Sequence, residues 1–284
     1  MIRRDDGGDW LIIEQIKHAH LAAEIARAWG NERFEPFTRD RTGPTAGALL
    51  HAVTHHDDGW SEWDAAPRLD PRTGMPRDFR EMRMQDATAI WTKSIVASGE
   101  FHPLSAYAVS RHFCYLAQQV RDGGRQGSDD LAAVRRFLEQ QSAVQMGLQE
   151  AAGLQGRGEE FDRYREVAYR TVQFFDRVSL WLCCAEEDEP QQMTTPLGEL
   201  VTFSPSSSPG VTAIGEEAGR LHAATLDLQK FRVTIEPYPL SHLAREFKVE
   251  GRRIPTRRYL NETDLRAAWS QASPVQLVWT LCSA

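Results

Sequence analysis

The sequence predicts a mainly α protein: a helical bundle over residues 1–186, with a small α+β region over 187–284 packed against it. Three observations lead there. Long segments up to about residue 185 repeat their apolar residues at the i, i+3, i+4, i+7 spacing of an amphipathic helix. Glycine-rich breaks such as RDGGRQGSD and GLQGRGEE separate them. Beyond 186 the spacing shortens into the strand-like runs GELVTF, FRVTIEPYPL, FKVEGRRIP and PVQLVWTLC.

Taken in order, WLII at 10–13 is a short strand-like run, and from residue 16 the text KHAHLAAEIARAWG is alanine-rich and helical until Gly30 stops it. TAGALLHAVTHH, 45–56, is a second helix. Residues 57–80 carry Pro, Gly and Asp at turn spacing with two tryptophans and form a long structured loop. Further helices fall at about 82–98, 104–121, 129–152 and 159–185. In the last third, DLRAAWSQAS is a helix announced by Asn261 with Asp264 three residues on, a capping-box-like start.

With 284 residues, 41% hydrophobic and 26% charged, the chain can build one large core. Its net charge is −7, with basic residues scattered among acidic ones, which argues against nucleic acid as a partner. The charged start MIRRDDGGDW and the lack of any long apolar run argue against a signal peptide or a membrane span, so the expected location is the cytoplasm. Four cysteines without Cys-x-x-Cys spacing read as reduced core residues.

Helical periodicity turns polar residues inward at three places. His18 shares a stripe with Ala22, Ile25 and Trp29; His112 lines up with Leu104, Ala108 and Leu116; Asp176 lines up with Val172, Ser179, Leu180 and Cys183. A buried carboxylate needs a partner, an arginine or a metal, because an unpaired charge in an apolar setting costs several kcal/mol.

The order His18, then the adjacent His56-Asp57 at a helix end, then His112, then Asp176 resembles the HD-domain superfamily, helical metal-dependent phosphohydrolases and their diiron oxygenase relatives. QIKHAHLAAEIARAWGN, HDDGWSEWDAAPRLDPRTGMP, SRHFCYL, FFDRVSLWLC and VTIEPYPL are similar to a bacterial family of unknown function. The superfamily resemblance implies an HD-like bundle in which His18, His56, Asp57 and Asp176 hold one ion. It also implies that His112 holds a second, with Asp57 bridging the two. At the sixth position of the dinuclear pattern the chain departs: His102 lies only ten residues before His112, and Asp86 is the other candidate.

Imidazoles with carboxylates suit one or two divalent ions, Fe, Mn, Zn, Ni or Mg. Such an ion lowers the pKa of a water and polarises a phosphoryl oxygen. The expected activity is therefore phosphohydrolase-type hydrolysis of a small molecule, with Asp58 as proton acceptor. The alternatives are a diiron oxygenase cleaving a C–C or C–P bond with dioxygen, and a ligand-binding domain without catalysis. Trp60, Trp63 and Asp64 follow the pair directly and are expected to meet substrate, as is Arg111 if it turns inward. His51 and His55 share a helix face at ligand spacing, but no third ligand follows.

Overall fold

A computed structural model describes residues 1–36, 44–124, 127–156, 158–184, 190–205, 227–242 and 244–284. The chain opens with two strands, β1 (Ile2–Asp5) and β2 (Asp9–Ile13). The helices α1 (Gln15–Ala28), α2 (Pro44–His55) and the short α3 (Ser61–Ala65) follow. Four long helices come next: α4 (Met84–Phe101), α5 (Pro103–Gly123), α6 (Ser128–Ala151) and α7 (Glu159–Cys184). The last third contains β3 (Gln191–Thr194), β4 (Leu200–Pro205), β5 (Asp227–Glu236), β6 (Ala244–Pro255), α8 (Glu262–Ser270) and β7 (Ser273–Ser283).

The seven strands among the described residues join one mixed sheet in the order β1-β2-β6-β7-β5-β4-β3. Neighbours are antiparallel except β5 and β7, which run parallel with Lys230 opposite Val278. Period-two alternation gives this sheet two covered faces. Leu11 and Ile13 join the main core with Val275, Leu277 and Trp279, while Ile12 points the other way into a smaller cluster with Ile254, Leu265 and Trp269 beneath α8. On the main-core side, α1 packs on β6 and α7 reaches β1.

This overturns the mainly α bundle with a small C-terminal appendage. Helix accounts for 55% of the structure and strand for 22%, and the sheet is a principal layer that draws residues 2–13 from the start of the chain into its edge. The sequence disguises both edge strands. IRRD and QQMT lack an apolar alternation, and they become strands by pairing, Ile2 opposite Ile13 and Met193 opposite Val201. Helix α3 forms inside the 57–80 stretch expected as loop; the other elements lie close to their expected positions, including α8 with Asn261 Oδ1 accepting from the Asp264 amide at 3.0 Å. The Ser/Pro run from residue 206 lies outside the described residues.

Two details position the site. α1 is rich in alanine, so its backbone comes close to α2 and α7; it ends where Gly30 takes φ 119°, a conformation other residues rarely adopt. α5 begins with Pro103, whose missing N–H costs nothing at a helix start, and His102 caps it by accepting from the Leu104 amide at 3.1 Å.

Candidate metal centre

Helices α1, α2, α5 and α7 pack on one another and enclose a group of buried polar side chains. His18 comes from α1, His112 from α5 and Asp176 from α7; His56 and Asp57 occupy the turn that follows α2. His18 and His112 are at most 1% exposed, as is His56, and Asp57 and Asp176 are also buried. That turn is locked from outside. The Gly59 amide donates to Ser94 Oγ of α4 at 2.9 Å, and a methyl on Gly59 would overlap the Ile90 carbonyl.

The hydrogen bonds fix which ring nitrogen faces inward. The Val53 carbonyl can only accept, so His56 Nδ1, 2.9 Å away, carries its proton. Ser179 Oγ–H donates to the Asp176 carbonyl at 2.9 Å, so it accepts from His18 Nδ1 at 3.0 Å. Both rings therefore turn Nε2 towards carboxylates: His18 Nε2 lies 2.8 Å from Asp57 Oδ2, and His56 Nε2 lies 3.2 Å from Asp176 Oδ1. In neutral rings these nitrogens are lone pairs facing lone pairs. Positive charge must sit between them, as protons or as a cation.

Electrostatics follow the same geometry. Burial opposes a charge on His56, but Asp57's charge and the hydrogen bond with Asp176 outweigh it and raise its pKa to about 9. Burial would raise Asp176; the His56 hydrogen bond and the charges of His112, His56 and His18 instead lower it to about 2. His112 is pushed down to about 4 by burial, against the pull of Asp176, whose Oδ2 is 3.7 Å from its Nε2. Its ring stands 5.7 Å from that of His56.

The other residues expected at the site fall elsewhere. Asp58 accepts from or shares a proton with His55 Nδ1 at 2.9 Å, on the partly exposed side of the turn. Trp60 belongs to the core and meets Trp63 edge-on at 6.4 Å; Trp63 carries the Arg68 guanidinium over its ring at 3.9 Å. Asp64 is buried against the Met1 ammonium at 3.3 Å and accepts from the Ile16 amide. Arg111 lies over the Tyr169 ring, beside a shallow recess that it lines with Gln118 and Gln145. His102 is spent on capping α5, and Asp86 pairs with Arg83 at 3.6 Å. His51 stacks between His55 and Phe101, with His20 edge-on to His55.

A cavity of about 560 Å³ opens where His112 and Asp176 reach the surface of the cluster, walled by α7 on one side and by Gln191 and Met193 of β3 on another. Of its lining, periodicity singles out His112 and Asp176 with their stripe neighbours Leu116 and Leu180. Ser179, which orients His18, is visible in the sequence as a member of Asp176's stripe but not as a hydrogen-bond partner of His18.

Fold and site together define a mixed α/β protein with an interior His/Asp cluster, in which His18, His56 and Asp57 each place a ligand atom within 4.8 Å of the others. The family model described as "Protein of unknown function (DUF3891)" matches residues 1–256, and the chain belongs to that family. No curated protein and no solved structure matches it. Among the described residues, no helix is long and apolar enough to cross a membrane.

Proposed function

We propose that the buried cluster is a metal centre and that the protein is an HD-like, metal-dependent hydrolase of the phosphohydrolase type acting on a small molecule. The observation that carries this reading is the paired orientation of His18 and His56, each with Nδ1 tied to a neighbour and Nε2 aimed at a carboxylate. Two donors about 2.1 Å from a common ion at tetrahedral or octahedral angles stand roughly 3.0–3.4 Å apart. The nitrogen–oxygen separations here are 2.8, 3.2, 3.7 and 4.0 Å; His18, His56 and Asp57 have ligand atoms all within 4.8 Å of one another, and Asp176, 3.2 Å from His56 Nε2, would close in as the fourth when an ion binds. Two carboxylates with neutral imidazoles also balance a divalent charge.

His18, His56, Asp57 and Asp176 would hold this ion, and His112, next to Asp176 Oδ2, is placed for a second. When bound, a divalent ion supplies an acidified water and an electrophile for a phosphoryl group. The chain does the rest. Ser179 and the Val53 carbonyl hold the imidazoles in one tautomer, and the four packed helices exclude bulk water from their inner faces. The cavity lined by His112 and Asp176 is the route by which a reactant would reach the cluster.

Elemental analysis of the purified chain, with anaerobic and aerobic turnover of 4-nitrophenyl phosphate, tests the reading. Mn, Mg, Zn, Ni or Fe with oxygen-independent phosphate release supports it. Two irons with dioxygen-dependent chemistry would replace it by the oxygenase, and a chain that binds no divalent ion would leave a ligand-binding domain.

A further inference from the structure

The cavity beside His112 and Asp176 has a chemical bias that metal binding does not use. Gln173, Arg177 and Trp181 fall at i, i+4 and i+8 of α7, one row along the cavity wall that spans about 12 Å of helix axis. Every nitrogen this row offers is a donor. Trp181 Nε1 and Gln173 Nε2 are buried and have no hydrogen-bond partner among the described residues, and Trp181 is only 4% exposed. A buried donor left unpaired is costly, and Trp181 and Gln173 both line the cavity, so an acceptor entering there would satisfy them. Arg177 sits exposed in the middle of the row and has neither ion pair nor hydrogen bond among the described residues. By contrast Arg170, at the same rim, is already paired with Glu166. Among the described residues of the lining, the one carboxylate, Asp176, is engaged by His56. Between the donors the surface is apolar, formed by Phe174 and Leu180.

We infer that this cavity takes an elongated amphipathic anion with hydrogen-bond acceptors towards both ends. Its anionic group, phosphate-like or carboxylate, lies against Arg177; a second acceptor meets the Trp181 indole N–H; and its apolar body rests on Phe174 and Leu180. The anion's role as substrate rests on the proposed metal centre, whereas its binding does not. A neutral ligand would leave Arg177 unmatched, and a cation would face its guanidinium.

The test uses the full chain labelled with ¹⁵N, once after chelator treatment and once reloaded with Zn²⁺, with the Trp181 indole N–H resonance identified by its loss in Trp181→Phe. The probes are 4-nitrophenylphosphonate and 4-nitrobenzoate, each an acceptor, a ring and an anion in line, with neutral 4-nitrobenzyl alcohol as control. At least one anion should shift the Trp181 resonance saturably while the alcohol does not, and the anion that binds names the head group. Arg177→Gln, a rim change that leaves the cluster intact, should weaken that binding about tenfold, the loss of one charge-assisted contact. The inference is overturned if neither anion moves the resonance in either metal state, if the alcohol binds as well, or if Arg177→Gln binds like the parent. Shifts in a chain that retains no ion would support the cavity and sink the metal centre; a chain that holds its ion but shows no shift would do the reverse.

Discussion

Replacing Asp176 by Asn keeps the side chain's shape and removes its charge, which makes it the sharpest perturbation of the proposed centre. With Asp57 and Asp176 ionised, a divalent ion leaves the cluster neutral; in the Asp176→Asn variant a net positive charge is left among imidazoles that are at most 1% exposed. Loss of a partner that merely orients a ligand lowers metal affinity 10–100-fold, so loss of a charged ligand should cost about 100-fold or more. Thermal unfolding converts this into a number. At an ion concentration one hundred times the wild-type Kd, binding stabilises the fold by about 2.7 kcal/mol. For a chain of this length each kcal/mol raises Tm by roughly 2–4 °C, so the wild-type shift should be about 5–10 °C. At the same concentration the variant sits near its own Kd, gains about 0.4 kcal/mol and shifts by about 1 °C. Scanning calorimetry of chelator-treated protein, with and without Mn²⁺ or Zn²⁺, measures both, and circular dichroism establishes that the variant folds. A variant that keeps the full wild-type shift would refute the assignment of Asp176. A wild type that shifts with none of Fe, Mn, Zn, Ni or Mg would refute the centre itself.

Ser179→Ala removes the acceptor of His18 Nδ1 without touching an inward-facing atom, and calorimetric titration should find metal affinity reduced about 10–100-fold; unchanged affinity would mean that Ser179 does not set the tautomer. Gly59→Ala drives a methyl into the Ile90 carbonyl and to 2.9 Å from Ser94 Oγ, so the urea midpoint should fall by the equivalent of roughly 1–3 kcal/mol, and a variant as stable as its parent would place slack in the turn after Asp57. In chelator-treated protein His56 is raised from 6.5 to about 9, so the stability it contributes is complete below pH 6.5 and disappears as pH rises through about 9. Urea midpoints followed across that interval should decline, and a flat profile would show that His56 is not charged in the metal-free fold.

The interior donors were legible in the sequence because helices announce their buried face by period: His18, His112 and Asp176 each stand on an apolar stripe, and each is buried. The turn residues were not. Trp60, Trp63 and Asp64 follow the His56-Asp57 pair so closely that proximity in sequence looked like proximity to the cluster's open side, yet Trp60 is spent on the core, Trp63 on Arg68 and Asp64 on the Met1 ammonium. Asp58 and His102, polar residues next to ligand-like ones, satisfy neighbouring groups instead.

The row Gln173, Arg177 and Trp181 was just as regular in sequence as the stripe that carries Asp176, but on a free-standing helical bundle a row of that composition belongs to solvent. What changes its meaning is the sheet. β3, a strand of polar QQMT that only its pairing with β4 reveals, lays Gln191 and Met193 opposite α7 and converts an outer helix face into the wall of a cavity. The same correction that replaces a bundle by a mixed sheet therefore supplies the enclosure in which the Trp181 indole is buried without a partner among the described residues. In a bundle alone that indole would be hydrated; here its ring packs 5.9 Å from that of Phe203 in β4, and in the inference drawn above its N–H is met by an acceptor in the cavity.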